Sequence, residues 1–269
     1  MCKVMGVCRA GYYKWTENRD GLRAEKDAQL LVEIKKTFVE SHETYGVRRV
    51  HADLRRKGKR VNHKVVQRLM HENRIQPRRR RKFKSTTDSK HSLPVAPNRL
   101  QRQFWALKPN DVWVSDITYI ETAEGWLYLS VWIDLYSRKV VGWSTSDRMT
   151  ADIVVSSFEM ATQRRRVAAP RLVHSDRGSQ YASELFRKKA KKCLKSMSRK
   201  GNCWDNAVAE SFFGALKSEL VHRETYKSRE EAAMSIFQYI EIFYNRKRLH
   251  SALGYVSPCE YEEKGKTAA

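Results

Sequence analysis

The period of the hydrophobic pattern changes near Asp111, and this change constrains the fold more than any other feature of the chain. Residues 111–146 alternate and are rich in β-branched and aromatic side chains, with turn-forming residues at 124–125 and 136–139. Before this stretch, apolar residues recur at helical spacing instead. The chain is therefore predicted to fold into an all-α N-terminal part followed by a three-stranded antiparallel meander.

Helices and strands alternate after the meander. Helical spacing of apolar residues predicts helices over 150–165 and 183–192, with the short strand RLVHSD at 171–176 between them. A further short extended stretch and the Gly/Asn loop RKGNCWDN precede a helix expected over 206–220, and another amphipathic helix covers 228–245. This order predicts an α/β fold, a mixed five-stranded sheet flanked by helices.

Three helical patterns make up the N-terminal part. The first covers 23–41, and the next two are joined through a turn at Gly58, with Asn62 placed to cap the last helix. Two short helices joined in this way match a helix-turn-helix DNA reader, although helical hairpins without DNA are also common. The basic residues outside the apolar stripe are candidate DNA contacts: Arg48, Arg49, Arg55, Arg56, Lys64 and Arg68.

The positive charge of the chain is concentrated in two segments. Residues 48–84 hold 16 Lys and Arg against two acidic residues, and residues 187–200 add eight basic residues and no acid, which accounts for nearly all of the net charge of +23. Localised charge of this kind is the footprint of phosphate contacts, so a polyanion is the expected partner, with a solvated basic face as the alternative. The first segment includes four consecutive candidate DNA contacts: Arg78, Arg79, Arg80 and Arg81.

Membrane proteins and disulfide- or zinc-stabilised domains do not match the sequence. No stretch approaches the roughly 18 apolar residues of a membrane span, and the N-terminus lacks the apolar region of a signal peptide, so a cytoplasmic protein is expected. The five cysteines are odd in number and form no CxxC, and no His pair stands at zinc-ligand spacing beside them. Disulfides and structural zinc are therefore not expected.

Three acidic residues stand where a fold of this order would bring them together. Asp116 lies within a strand among apolar and β-branched neighbours, where a carboxylate is costly to bury unless it is paired or bound to metal. Asp176 ends a strand of the sheet, and Glu210 lies at the edge of the apolar stripe of its helix. Each alone suits a salt bridge or a helix cap, but three convergent carboxylates among basic surfaces suit two Mg²⁺ ions acting on a phosphodiester.

Four further residues leave alternatives open. Asp134 is either a turn-side hydrogen-bond acceptor or a fourth acid near the metals, and His174 either orients the neighbouring strand-end carboxylate or is a satisfied core histidine. Trp204 packs against the core or stacks on a flipped base, and packing is the preferred interpretation. Asn206 is expected to cap the helix that follows it.

Long strings of the sequence, in a consistent order along nearly the whole chain, carry a resemblance. They are VCRAGYYKW, YGVRRVHADLRRKG, WVSDITYI, IDLYSRKVVGW, HSDRGSQY, SMSRKGNCWDNAVAESFFGALKSE and FYNRKRLHSALGYVSP. These strings resemble the DDE transposases of bacterial insertion sequences, in the group whose core is similar to retroviral integrase. The resemblance implies a ribonuclease H-like core behind a small all-α helix-turn-helix domain, with Asp116, Asp176 and Glu210 as ligands of two Mg²⁺ or Mn²⁺ ions.

The resemblance also implies roles and partners. Lys217, two helical turns beyond Glu210 and on its face, is expected to contact phosphate near the scissile bond and to have no part in the fold. The implied partners are the DNA ends of the element and target DNA, bound by a homo-oligomer at the bacterial nucleoid. Because the first residues resemble the tail of a helix-turn-helix, an upstream reading frame is expected to supply a partner or a fused segment.

Five regions are expected along the chain. They are a helix-turn-helix remnant (1–21), a helix-turn-helix-like DNA-binding domain (22–76), a basic linker (77–108), an integrase-like catalytic core (109–224) and a C-terminal helical segment (225–269). The 33 residues between Asp176 and Glu210 are fewer than is usual in the group. The helix or strand between them is therefore expected to be short, without loss of the fold.

The expected function is that of a DNA transposase that performs metal-dependent DNA strand cleavage and strand transfer. The alternatives are a ribonuclease H-like nuclease without joining activity and a basic helix-turn-helix DNA-binding repressor. A repressor gives no reason for Asp116 within an apolar strand, whereas the nuclease differs only in lacking strand-transfer products longer than the substrate.

Overall fold

The computed structural model describes residues 2, 4–17, 22–77 and 93–267. It divides into two compact units, Met1–Arg78 and Arg79–Ala269. The first is all-α in its described part, and the second is built on a β-sheet, as the change of period predicts. No helix within the described ranges combines the length and the apolar character that a membrane span needs.

The described part of the N-terminal unit holds four helices. They are α1 (Arg9–Glu17), α2 (Leu22–Glu40), α3 (Val47–Arg56) and α4 (His63–Glu72). The last three pack together through buried Ile34, Val50, Leu54, Val66, Leu69 and Met70. Asn62 caps α4 as predicted, because its side-chain oxygen accepts a hydrogen bond from the Lys64 N–H at 2.8 Å.

The C-terminal unit contains a mixed five-stranded sheet. Its strands are β1 (Val112–Thr122), β2 (Gly125–Asp134), β3 (Val140–Ser146), β4 (Leu172–Ser175) and β5 (Leu194–Met197). The spatial order is β3-β2-β1-β4-β5, with the first three strands antiparallel and β4 and β5 added in parallel to β1. The predicted meander and mixed sheet are confirmed.

Helices flank this sheet. They are α5 (Ala151–Arg165), α6 (Ser179–Ala182), α7 (Glu184–Lys189), α8 (Ala207–Glu219), α9 (Arg229–Phe237) and α10 (Pro258–Thr267). An aromatic cluster joins α5 and α7 to β1 and β2: Trp113, Trp132, Phe158, Tyr181 and Phe186. A Cβ atom on Gly142 would overlap the Ser157 carbonyl oxygen and Ala161, so only glycine allows α5 to lie this close to β3.

The predicted helix over 228–245 is wrong in its second half. The α-helical hydrogen bonding of α9 ends at Phe237, and Gln238–Tyr244 forms a π-helix. The wider turn buries two adjacent pairs of large side chains, Tyr239 with Ile240 and Phe243 with Tyr244, whereas successive residues of an α-helix point about 100° apart. A regular amphipathic stripe therefore does not describe this segment.

The short connection between β4 and α8 leaves the sheet intact. One helix is predicted over 183–192, and α7 covers only 184–189 of it, with the short α6 just before the predicted range. Ser183 caps α7 by accepting a hydrogen bond from the Phe186 N–H at 3.2 Å. The helix ends early, at Lys189, and β5 still pairs with β4 along its whole length.

Part of the segment predicted as a linker belongs to the C-terminal unit. The backbone N–H groups of Arg99 and Leu100 donate to the Ser196 hydroxyl on β5 at 2.9 and 3.1 Å. Leu100 is buried, and the Phe104 carbonyl accepts from the Arg138 guanidinium. Residues 98–104 were assigned to the linker because they lack periodicity, but side-chain contacts anchor them to the sheet.

Candidate active site

Asp116 and Asp176 come together where β1 loses its parallel neighbour. β4 pairs with β1 only over residues 112–114, with Val114 opposite His174. Asp116 follows Val114 by two residues and Asp176 follows His174 by two, so both leave the paired region at the same edge, and the charge of Asp176 acts on Asp116. Asp176 directly follows β4, at the carboxyl end where open α/β sheets bind their ligands.

Backbone N–H groups orient both carboxylates. The N–H of Ile117 donates to Asp116 Oδ1 at 2.8 Å, and the N–H of Gly178 donates to Asp176 Oδ1 at 3.0 Å. A Cβ atom on Gly178 would stand 3.1 Å from the same Asp176 oxygen, which is a tight contact. The absence of a side chain at Gly178 therefore avoids crowding of the Asp176 carboxylate. Both carboxylates are half-buried and keep access to solvent.

Glu210 is brought to this edge of the sheet by α8, whose first residues are tied to β1. The side-chain amide of Asn206 donates to the carbonyl oxygen of Ser115 at 3.1 Å, one residue before Asp116. The prediction that Asn206 caps α8 is therefore wrong, because its amide bonds to β1 and its side chain makes no cap hydrogen bond. Glu210 lies in the first turn of α8 and is exposed.

The carboxylate cluster (Asp116, Asp176 and Glu210) concentrates negative charge. Burial raises the pKa of Asp116 well above its usual value, and the charges of Asp176 and Glu210 raise it further. The Ile117 N–H and the Lys217 ammonium act in the opposite direction without reversing the shift. Partial desolvation also raises the pKa of Glu210, although its side chain is largely exposed. The cluster therefore favours an added cation.

Lys217 lies inside the protein and not on its surface. Its side chain is 6% exposed, and Nζ stands 4.7 Å from the centroid of the Tyr119 ring. Burial lowers the pKa of Lys217 to about 8, against the opposing effect of the Asp116 charge. The expectation that Lys217 has no part in the fold is wrong, since the aromatic ring and the nearby carboxylate hold its ammonium inward.

Tyr181 borders the cluster and was not indicated by the sequence. Its buried hydroxyl lies 2.7 Å from the Ser115 hydroxyl. Burial raises the pKa of Tyr181 well above its usual value, and the charges of Asp116 and Asp176 raise it further. A protonated phenol thus lies beside the carboxylates. In the sequence, Tyr181 stands five residues after Asp176 and looks like any aromatic residue of the core, so no pattern points to it.

Asp134 and His174 both take the structural alternative. Asp134 is fully buried and accepts hydrogen bonds from the N–H groups of Asn110 and Tyr136 and from the Arg165 guanidinium, at 2.8, 2.9 and 2.8 Å. His174 is also buried, and its two ring nitrogens face serine hydroxyls on and beside β5. Burial lowers the pKa of His174 to about 4, so it is a neutral core histidine.

The loop between β5 and α8 is held by the Asp205 clamp, which consists of Asp205, Asn98, Arg102 and Arg199. The buried Asp205 carboxylate accepts from Asn98 and Arg102 at 2.9 Å each and from the Arg199 guanidinium at 2.8 and 2.9 Å. These hydrogen bonds, led by those from Arg199, hold the pKa of Asp205 far below its usual range. Two of the partners lie more than 100 residues earlier in the chain, so sequence spacing could not reveal the clamp.

The predicted packing of Trp204 against the core is wrong. Its side chain is 68% exposed. Trp204 lies in the 3₁₀ turn Cys203–Asn206, where successive residues point about 120° apart. Because Asp205 and Asn206 are both turned into the protein and hydrogen-bonded there, Trp204 is left facing solvent.

Most of the predicted DNA contacts that the structure describes are exposed on α3 and α4: Arg48, Arg55, Arg56 and Lys64. Four of the other predicted contacts, Arg78, Arg79, Arg80 and Arg81, lie outside the described residues. The described set therefore offers a basic surface, carried by the two helices of the predicted helix-turn-helix.

Arg49 and Arg68, also predicted as DNA contacts, have partners within the protein. The Arg49 guanidinium carbon stands 5.6 Å from the centroid of the Tyr45 ring. Arg68 forms ion pairs with Asp27 at 2.6 Å and with Glu72 at 3.0 Å, which links α4 to α2. Arg68 therefore helps to hold the helices together.

In the part of the chain that the structure describes, no three or more His, Cys, Asp and Glu side chains are already arranged as a metal-binding group. Asp116 and Asp176 converge on neighbouring strands, while Glu210 is exposed at the start of α8.

Family models match three parts of the chain. One described as an HTH-like domain matches residues 25–83, and models described as an integrase core domain match residues 106–203 and 210–265. The first integrase match contains Asp116 and Asp176, and the second begins at Glu210. These matches, with the mixed five-stranded sheet, confirm the ribonuclease H-like α/β core and the helix-turn-helix-like domain.

Relatives match almost the full length. A 31 kDa protein of insertion element IS600 from Shigella sonnei is 44% identical over 266 residues, 98% of this chain and 98% of that protein. Transposase InsF for insertion sequence IS3A from Escherichia coli (strain K12) is 41% identical over 268 residues, 98% of this chain and 93% of that protein.

A solved structure, the simian T-cell lymphotropic virus intasome in complex with PP2A regulatory subunit B56 gamma, aligns with 85% of this chain and 74% of that chain. The TM-score is 0.49 at 16% identity. The family is decided by the two insertion-sequence relatives, because their identity extends through both units. The chain belongs to the family of bacterial insertion-sequence transposases with an integrase core domain.

Proposed function

We propose that this transposase performs metal-dependent DNA strand cleavage and strand transfer at Asp116, Asp176 and Glu210. The observation that carries the proposal is electrostatic. Burial raises the pKa of Asp116 on β1, and the charges of Asp176 at the end of β4 and of Glu210 in the first turn of α8 raise it further. Strongly shifted groups of this kind collect at functional sites, where the cost of holding like charges together has a use.

The donor set of the cluster suits Mg²⁺ or Mn²⁺. Carboxylate oxygens are the ligands that hard divalent cations prefer, and the pKa of Asp116 is raised by the same negative charges that a cation would neutralise. Asp116, Asp176 and Glu210 would hold the metal, with two ions proposed. When bound, the metal supplies charge stabilisation to the attacking and leaving oxygens of a phosphodiester.

The other groups of the chain fix where the carboxylates stand. Hydrogen bonds from Ile117 and Gly178 each hold one carboxylate oxygen, and the bond from Asn206 to Ser115 sets α8 against β1. Misplacement of a reacting group by about 1 Å can cost roughly a hundredfold in rate. Asn206 is therefore proposed as a positioning residue for the site, acting through the place of α8.

Lys217 is proposed to bring positive charge to the place where a DNA phosphate would meet the carboxylate cluster. Its pKa of about 8 leaves it mostly protonated at neutral pH. Because it lies against Tyr119 inside the protein, it would meet a phosphate that has entered the site, and not one on a distant surface.

DNA ends of the element and target DNA are the proposed partners, bound by more than one copy of the chain. The exposed basic residues of α3 and α4 would supply phosphate contacts, with residues 22–76 as the DNA-binding domain and residues 109–224 as the catalytic core. An upstream-frame partner stays an expectation from the resemblance.

Incubation with the end DNA of the element and Mg²⁺ or Mn²⁺, followed by a denaturing gel, tests the proposal. We expect cleaved strands and strands longer than the substrate, and neither when EDTA replaces the metal. Short products alone would favour a nuclease without joining activity. Binding of the DNA with no metal-dependent product would favour a repressor.

A further inference from the structure

We propose that Trp204 stacks on an unpaired nucleobase of the DNA that the site acts on. The proposal rests on the proposed strand cleavage for the place of the base, and it adds a DNA-contacting residue that is not among the predicted phosphate contacts. Three observations support the proposal: Trp204 is exposed, the turn that holds it is fixed by hydrogen bonds, and basic residues surround it.

Most of the Trp204 side chain lies in solvent. Trp113 and Trp132 are completely buried in the sheet core, whereas Trp204 is 68% exposed. A tryptophan side chain carries one of the largest apolar surfaces available, so leaving it in water forgoes much of the stabilisation that its burial would supply. A binding partner that covers the ring would recover that stabilisation.

The support beneath Trp204 is rigid. Asp205, the next residue, is fixed by Asn98, Arg102 and Arg199 through hydrogen bonds of 2.8–2.9 Å. The residue after it, Asn206, is fixed to β1. An aromatic ring on a clamped turn loses little conformational freedom when it binds, which is how preorganised residues gain affinity.

The clamped turn borders the carboxylate cluster. Asn206 lies two residues from Trp204, at most about 7.6 Å between Cα atoms, and contacts the residue next to Asp116. Glu210 follows in the first turn of the helix that the loop enters. A base that leaves the duplex beside the scissile phosphate would thus find the indole close by.

The surroundings of Trp204 select a nucleic acid among possible partners. Lys200 is exposed just before the turn, and the run 187–200 holds eight basic residues and no acid. Basic side chains attract the phosphates, and the face of an aromatic ring stacks on any base, because every base has a π-face. Such stacking also offsets part of the cost of taking a base out of its pair.

Binding by fluorescence anisotropy tests the proposal on the full chain in EDTA. The probes are a short labelled single-stranded oligodeoxynucleotide and the blunt duplex of the same sequence. We expect Trp204→Ala to weaken single-strand affinity by about tenfold or more, and duplex affinity by less than about twofold. Trp204→Phe should stay within about threefold of the wild type, since a phenyl ring also stacks.

Trp105→Ala is the matched control, because Trp105 is 62% exposed in the same unit and is not part of the Asp205 clamp. It should leave both affinities unchanged. Equal effects of Trp204→Ala and Trp105→Ala on the single strand would overturn the proposal, and so would an equal loss of single-strand and duplex affinity in Trp204→Ala. The melting temperature of each variant should match the wild type, since both side chains are exposed.

A parallel cleavage assay on the wild type separates this proposal from the proposed function. If the wild type cleaves end DNA while Trp204→Ala binds the single strand normally, only the stacking proposal fails. If Trp204→Ala loses single-strand affinity while the wild type shows no metal-dependent cleavage, stacking stands and the proposed function fails.

Discussion

The carboxylate cluster and the Asp205 clamp lie close together in the fold, yet their carboxylates behave in opposite ways. Burial and neighbouring negative charge raise the pKa of Asp116. Hydrogen bonds led by Arg199 lower the pKa of Asp205, although that side chain is completely buried. The groups that contact each carboxylate therefore decide the direction of its pKa shift. An acid surrounded by donors holds the fold, whereas acids gathered against one another are suited to hold a cation.

The two groups also contribute to stability with opposite sign. The folded pKa of Asp205 lies below its unfolded value of about 3.9, so its contribution is present above that pH and is lost as the pH falls through the folded pKa. The folded pKa of Asp116 lies above its unfolded value. Without metal, its ionised form destabilises the fold at neutral pH, and this effect disappears as the pH falls to the unfolded pKa.

Removing one carboxylate from the cluster should have the largest effect. Asp116→Asn, Asp176→Asn and Glu210→Gln should each lower cleavage and joining by several orders of magnitude, with DNA affinity within a few-fold of the wild type, because a lost ligand removes no phosphate contact. Rates from single-turnover gels and affinities from gel shifts measure both. Asp147→Asn, at an exposed acid of the same unit, is the control.

A variant of the cluster that keeps a tenth of the wild-type rate would remove its residue from the site. Stability supplies a second check. In the absence of metal, Asp116→Asn should melt at or above the wild-type temperature, because it removes a carboxylate whose ionisation the fold opposes. A clear drop in melting temperature would mean that Asp116 serves the fold, as Asp205 does.

Removing the carboxylate of the Asp205 clamp should have the opposite effect on stability. Asp205→Asn should lower the melting temperature at neutral pH, since the guanidinium groups of Arg102 and Arg199 lose their shared carboxylate. Cleavage should fall by roughly a hundredfold through displacement of α8. As the pH falls below about 4, the difference in stability between the variant and the wild type should begin to shrink. Equal melting temperatures at pH 7 would contradict the structural role of the clamp.

Lys217 tests the comparison from the other side, because its positive charge opposes the rise in the pKa of Asp116. With a pKa of about 8, Lys217 loses its proton as the pH rises through that value. If its charge is needed, wild-type cleavage should decline above about pH 8, and Lys217→Arg should extend the plateau to higher pH, since guanidinium stays protonated. Cleavage rates between pH 7 and 9 measure this, and coinciding profiles would show that the charge has no role.

The smallest effect concerns partnered and exposed cations of the N-terminal unit. Arg55→Ala should reduce the slope of log affinity against log salt by about 0.9 and leave the melting temperature unchanged. Arg68→Ala should do the reverse, because its ion pairs with Asp27 and Glu72 join two helices. Salt titrations of DNA affinity and thermal melts of both variants measure these two effects. A lower slope in Arg68→Ala alone would show that its partners release it to DNA.

Much of the fold could be predicted because periodic patterns report local geometry. Alternation over residues 111–146 indicated the meander, and Asn62 indicated the start of α4. The same reasoning failed for Asn206, which has the composition of a cap but uses its amide on β1. It also failed at Gln238–Tyr244, where burial of adjacent aromatic residues overrides the α-helical period.

The sequence by itself determined the order of helices and strands and the three acids at strand and helix positions that can converge. It did so because hydrophobic period and residue type act over a few neighbouring residues. Only the tertiary structure decided that Lys217 lies inward, that Asp205 gathers two arginines and that Trp204 is exposed. Those outcomes depend on burial and on charges brought together from residues up to 107 positions apart, which no local pattern contains.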